Sequence, residues 1–284
     1  MPSNIRINNR VASTLQVGDV IAERAYYGSS EVFTAAFDPD AFTYIAAVEA
    51  ADEQALEEGV KQAIDGFVTG CKADGIWDAI KASCILAGAR TLNGCLVPLA
   101  GPAPTNFNFV SADYHRKTGL KGDGSTKYLD SNRANNADPQ DSNHNAVYRS
   151  DPGSNSALIG AGQTSFGANN IGLTSNPLKY FFRSRSSNVF ISSLDAELGF
   201  VAATRNTSTH YTLREGGSNT VIDNDSKTPT TDNVLVFARN ASQTLDQLRS
   251  DARLSFYSIG EAIDLAALDA RVTTLMTEIE AALT

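Results

Sequence analysis

The sequence predicts a mainly β chain, α+β overall, whose largest part is an antiparallel β-sandwich or barrel. Two observations carry this expectation. Between residues 106 and 257, short apolar runs alternate with clusters of Gly, Ser, Thr and Asn, and almost no helical period appears. Outside that stretch the apolar residues step by three and four, as on an amphipathic helix, across residues 44–67 and 263–283. Residues 1–37 read as a short β segment, 38–100 as a helical hairpin with a linker, 101–260 as the sandwich and 261–284 as a closing helix.

The first segment holds Leu15, Val17, Val20, Ile21, Tyr26, Tyr27, Val32 and Phe33, with turn signals at Gly18-Asp19 and Gly28-Ser29-Ser30. Two or three strands of this length bury no core alone. They need a partner, either the rest of the chain or another copy of it. Leu15, Val17, Tyr26, Tyr27, Val32 and Phe33 are therefore the candidate attachment or oligomer contacts.

Asp38-Pro39 opens a helix, because Asp38 can cap it and Pro39 suits its first turn. Ile45, Val48, Ala51, Ala55, Val60, Ile64 and Phe67 then keep one helical stripe through residues 44–67. A second helix is expected from Asp74-Gly75 to about Ala87, with Ile76, Trp77, Ile80 and Cys84 inward. Residues 92–104, rich in Gly and Pro, read as a linker.

In the sandwich, strands are expected at 127–129, 146–149, 158–160, 178–182, 189–191, 199–203, 210–214, 234–238 and 253–257. Residues 131–142 form a polar loop and 151–156 a turn. In the closing helix, Leu265, Leu268, Val272, Leu275 and Ile279 fit coiled-coil seam positions. Docking on the sandwich or the helical hairpin accounts for the same stripe.

Hydrophobic residues make up 42% of the chain, enough for a core, so global disorder is excluded. A net charge of −9 without a basic patch speaks against nucleic acid. No apolar run reaches the roughly 18 residues that cross a bilayer, so no membrane partner is expected, and residues 1–10 lack the apolar core of a secretion signal. Cys71, Cys84 and Cys95 lack CxxC spacing and read as buried free thiols of a chain made in the cytosol.

The sequence offers no active site. Asp195 and Glu197 would share a face on a strand, as a glycosidase pair requires, but Gly199 follows and a solvent-facing edge accounts for them. Gly122-Asp123-Gly124-Ser125 reads as a tight turn; calcium held by Asp123 with Asp130, Asp138 or Asp141 is the other reading. His115, His144 and His210 are scattered without metal-ligand spacing. No nucleophile elbow, phosphate loop or dinucleotide fingerprint is present. No catalytic residue, cofactor or metal is expected, and the chain is not read as an enzyme. Sugar sites combine apolar or aromatic surface with a few placed polar groups. Among the tyrosines and asparagines of the β region, the candidate ligand contacts are Tyr114, Tyr148, Asn143 and Asn169.

Two stretches carry a resemblance. The first runs from Ala73-Asp74-Gly75-Ile76-Trp77-Asp78-Ala79-Ile80-Lys81 through Gly119-Leu120-Lys121-Gly122-Asp123-Gly124-Ser125-Thr126-Lys127-Tyr128-Leu129. The second is Arg253-Leu254-Ser255-Phe256-Tyr257-Ser258-Ile259-Gly260-Glu261 with residues 265–275. Together they resemble bacteriophage tail-fibre and other virion structural proteins that carry a concanavalin A-like (laminin-G-like) jelly roll after a helical hairpin. Leu15-Gln16-Val17-Gly18-Asp19-Val20 and Tyr26-Tyr27-Gly28-Ser29-Ser30-Glu31-Val32 are similar to the short repeats at the start of such proteins. The resemblance implies a jelly roll and a homotrimeric or otherwise multimeric virion component. Its partners would be other virion proteins and host surface glycans. It also implies synthesis in the host cytoplasm and release by lysis. Three functions follow: a tail-fibre or adhesin subunit, a capsid decoration or baseplate protein without ligand, or a polysaccharide hydrolase.

Overall fold

The computed structural model describes residues 37–283 except 155, 164–165 and 242–247, and before them only the backbone of six short strands. Those strands pair as three separate antiparallel ladders: Arg6–Ile7 with Arg10–Val11, Leu15–Val17 with Val20–Ala22, and Arg24–Tyr27 with Ser30–Thr34. The side chains of Leu15, Val17, Tyr26, Tyr27, Val32 and Phe33, the expected attachment contacts, lie outside the described residues.

The main body is the expected antiparallel sandwich of two sheets. One sheet runs in the order Ser218–Asp223, His210–Glu215, Gly199–Arg205, Asn143–Asp151, Arg253–Gly260, Gly119–Lys121, Tyr114–His115, and Ile80–Ile85 also pairs with Arg253–Gly260. The other runs Phe190–Ile191, Tyr180–Ser186, Ala168–Leu173, Ser156–Ala161, Asn233–Val236, Tyr128–Ala134, Thr105–Phe107. Every apolar run read from the sequence overlaps a strand. Rows such as Phe182, Ile171, Ile159, Val236 and Leu129 lie directly opposite one another across neighbouring strands and are wholly buried. Such cross-strand rows fix register, because a one-residue slip would turn the whole set outward.

Among the described residues four helices complete the body: α1 (Pro39–Asp52), α2 (Glu58–Ala73), the short α3 (Leu92–Cys95) and α4 (Leu265–Ala282). Asp38 caps α1 as expected, its carboxylate accepting from the Asp40 N–H at 2.9 Å. The single stripe expected over 44–67 is broken: α1 ends at Glu53, whose φ of 53° is left-handed, and α2 begins afresh.

The helix expected from Asp74 to Ala87 does not form. A single 3-10 turn, Trp77–Ala79, leads into the strand Ile80–Ile85, and Asp74 closes α2 instead of opening a helix. Ile80, Ala82 and Cys84 alternate on a strand as readily as Ile76, Ile80 and Cys84 step along a helix. A strand buried on both faces gives no polar alternation to decide between them. Residues 38–100 are thus tied into the sandwich rather than set apart from it. The expected linker is tied in too: the Leu99 N–H donates to the Ser83 carbonyl at 2.8 Å and the Ser83 N–H to the Ala100 carbonyl at 3.0 Å. Just before it, Asp52 accepts from the Arg90 N–H (2.6 Å), the Thr91 N–H (2.9 Å) and the Thr91 hydroxyl (2.6 Å). At Gly94 an added Cβ would stand 2.1 Å from the Asp52 carboxylate, so only glycine fits there.

α2 and α4 pack on one another across the outer face of the larger sheet, where Phe67 meets Phe256 edge-on at 5.8 Å. Leu265, Leu268, Val272, Leu275 and Ile279 are buried within their own chain. The docking reading of that stripe holds, and the coiled-coil seam does not. Cys71, Cys84 and Cys95 are buried free thiols, and burial pushes Cys71 and Cys84 up to about 12. Among the described residues, no helix is long and apolar enough to cross a membrane.

Candidate functional site

Strand pairing places Tyr148 directly opposite Phe200, so both rings leave the larger sheet on one face. That face is turned away from the second sheet and toward α4, where Asp269, Ala270 and Thr273 occupy neighbouring turns. Arg214, two strands over, closes the side. Its Nε donates to Asp269 Oδ2 at 2.7 Å and its Nη1 to Asn219 Oδ1 at 2.9 Å. The Arg214 and Asp269 side chains are 14% and 15% exposed. Thr273 donates its hydroxyl to the second Asp269 oxygen at 3.0 Å.

Two loops make the rim. Gly216-Gly217 join His210–Glu215 to Ser218–Asp223 with φ of 52° and 71°, the left-handed pair a two-residue hairpin turn requires. Their missing side chains leave that rim low. Opposite stands the loop around Glu197, held from within the sandwich. Buried Arg149 donates one Nη2 to the carbonyls of Ala196 (2.6 Å) and Glu197 (2.7 Å), and the Tyr180 hydroxyl donates to the Glu197 carbonyl at 2.6 Å. The Glu197 carboxylate then leans over the turn, with Oε2 3.7 Å from where a Cβ on Gly216 would sit. Together these residues enclose a cleft of about 450 Å³. It has an aromatic floor, a braced ion-pair wall and one exposed acid at the lip, the mix of apolar surface and few placed polar groups that binds small ligands. Burial raises the Tyr148 pKa, and the negative charges of Asp269 and Glu280 raise it further.

Of the candidate ligand contacts, the structure puts Tyr148 in this cleft and the others elsewhere. Tyr114 donates its hydroxyl to the Ala89 carbonyl at 2.6 Å and packs on the core. Asn143 and Asn169 are 1% and 2% exposed, between the sheets, where Asn143 Oδ1 accepts from Ser184 at 3.2 Å. The correction has a simple cause: composition marks Asn as a loop or ligand residue, but strand alternation turns these two inward. The pair Asp195 and Glu197 lies in a loop, not on a strand, and both side chains are exposed. Phe200, Arg214, Asp269 and Thr273 were not anticipated. The Arg214–Asp269 contact bridges 55 residues of sequence.

A second cleft, of about 570 Å³, lies between Ser187–Phe190 and the stretch Ile222–Lys227. It is built mainly from polar loop residues. At the other possible site, Asp123 Oδ1 accepts the N–H groups of Ser125, Thr126 and Lys127, and Oδ2 accepts the Thr126 hydroxyl. Burial works to raise the Asp123 pKa, but these hydrogen bonds hold it well below the usual carboxylate range. Its oxygens serve the turn. Among the described residues no group of three His, Cys, Asp or Glu converges as metal ligands do.

The fold is thus a two-sheet antiparallel β-sandwich with a helical layer on one face. No protein-family model matches the chain, and no curated protein matches it in sequence. Similar solved structures include the NanB sialidase of Streptococcus pneumoniae, at 13% identity and a TM-score of 0.41 over 54% of this chain and 27% of that one. The CBM40 domain of a Ruminococcus gnavus IT-sialidase, bound to alpha2,3-sialyllactose, aligns at 14% identity and TM-score 0.34 over 46% and 82%. The botulinum neurotoxin serotype D binding domain aligns at 12% identity and TM-score 0.43 over 69% and 51%.

Proposed function

We propose that this protein is a glycan-recognising adhesin of a phage particle, a tail-fibre subunit that binds sugar without turning it over. One observation carries the binding reading: the Tyr148–Phe200 floor meets a rim loop whose backbone Arg149 and Tyr180 hold and the polar wall of the Arg214–Asp269 pair. Preorganised polar groups over an aromatic surface suit a hydroxyl-rich, partly apolar ligand, since little ordering is lost on binding. The virion assignment draws on the resemblance to phage fibre proteins. The three separate two-stranded ladders before Phe37 support it, because ladders of that size need further partners, here other copies in a trimer or a neighbouring virion protein.

A glycan array with wild type and Tyr148→Ala tests this reading, together with a turnover assay on bacterial surface polysaccharide. Binding by wild type that drops at least tenfold in Tyr148→Ala, without cleavage, is the expected result. No binding by wild type overturns the adhesin reading and leaves the baseplate or decoration role. Cleavage that Glu197→Gln abolishes overturns the non-enzymatic one.

A further inference from the structure

We infer that the Tyr148 cleft selects against acidic sugars, with Glu197 as the residue that sets this preference, so that its ligand is a glycan unit without carboxylate or sulfate. This rests on the glycan reading above. Among the described residues, three charged side chains line the cleft: Glu197, Arg214 and Asp269. Arg214 is the one cation among these described residues, and two of its three nitrogens are already committed, Nε to Asp269 and Nη1 to Asn219. Pairing Arg214 with Asp269 cancels both charges. The lining is left with a single uncompensated charge, the Glu197 carboxylate, exposed at the lip and leaning over Gly216. Glu280 adds a negative charge near Tyr148 from outside the lining.

An acidic sugar on the aromatic floor would bring its anion toward Glu197, and the one cation among the described lining residues, Arg214, is already paired with Asp269. An unpaired anion beside another is disfavoured, and specificity of this kind comes from built-in repulsion as much as attraction. At about 6 Å in a partly solvated site, such a pair is worth roughly a three- to tenfold loss of affinity at low salt. Salt screens the repulsion, so the loss shrinks as ionic strength rises. A neutral pyranose meets no such penalty and lays its apolar face on Tyr148 and Phe200.

The test compares neutral oligosaccharides, such as lactose and N-acetyllactosamine, with their sialylated counterparts. Binding is measured by calorimetry at low and high salt on wild type, Glu197→Gln and Asp195→Asn. The expected result is a three- to tenfold preference for the neutral member in wild type, narrowed by salt, removed in Glu197→Gln and kept in Asp195→Asn. A wild type that binds the sialylated member as well or better overturns this inference while the glycan reading stands. A preference that Asp195→Asn weakens as much as Glu197→Gln also overturns it, because the effect then belongs to the general field of an acidic surface. A wild type that binds no member sinks the glycan reading, and this inference with it.

Discussion

Arg149, wholly buried between the two sheets, donates to the carbonyl oxygen of Glu197 at 2.7 Å and so fixes a surface loop from the inside. Its guanidinium also lies 5.1 Å from the centre of the Tyr180 ring, and Tyr180 bonds the same carbonyl. Sheet interior and cleft rim are therefore one mechanical unit. Arg149→Met keeps most of the volume but frees the loop. The expected result is a loss of about 1–3 kcal/mol in urea unfolding. Faster hydrogen exchange at residues 196–199 should accompany it. Unchanged exchange there would show that the loop stands without Arg149.

The Arg214–Asp269 pair joins the sandwich to α4 and is largely shielded from water. Breaking it leaves one charge with its partner missing, so Asp269→Ala should cost about 1–2 kcal/mol, more than a fully exposed pair would. A double-mutant cycle with Arg214→Ala measures the coupling, and a value near zero would contradict the role given to the pair.

His144 supplies a pH dependence. It is buried, with Nδ1 2.6 Å from the Glu261 carbonyl and Nε2 2.7 Å from the Ser258 hydroxyl. The carbonyl can only accept, so Nδ1 carries the proton and Nε2 accepts from Ser258. Burial lowers its pKa from 6.5 to about 4. The unfolded chain therefore takes up this proton first as pH falls. Stability from His144 is complete above pH 6.5 and is lost between 6.5 and 4, by roughly 3 kcal/mol. Glu215, raised by burial, acts in the opposite sense over part of that window. The difference between wild type and His144→Gln isolates the histidine. Its unfolding free energy should vary less between pH 6.5 and 4.5 than that of wild type, and equal slopes would contradict the assignment.

The Asp123 turn gives a metal test. With both carboxylate oxygens engaged by N–H and O–H donors, neither added calcium nor EDTA should move the melting temperature by more than about 1 °C. A calcium-dependent rise of several degrees would reopen the calcium reading, since a ligand of the folded state alone stabilises it.

Much of the fold was legible because the sandwich strands announce themselves by apolar runs between turn residues, and α4 by its stripe. Ile80–Ile85 was not, because a strand covered on both faces loses the polar alternation that separates strand from helix, and Ala168–Leu173 was not, because Asn169, Asn170 and Gly172 read as turn residues. The cleft was legible only in part. Tyr148 and Glu197 stood out by residue type, but the partners that make them a site, Arg214 and Asp269, come from another strand and from a helix beyond the sandwich. Their meeting is a product of tertiary packing. The same blindness misplaced Asn143 and Asn169, and it hid Arg149, Arg185 and Arg205, which lie fully inside the sandwich where arginine is least expected.

The most direct measurement is a crystal structure of the protein with a neutral oligosaccharide that it binds in solution. The account requires a sugar ring on Tyr148 and Phe200, within hydrogen-bond reach of Glu197 or Thr273. Density for the sugar in the cleft between Ser187–Phe190 and Ile222–Lys227, or anywhere else with the Tyr148 cleft bare, would contradict it.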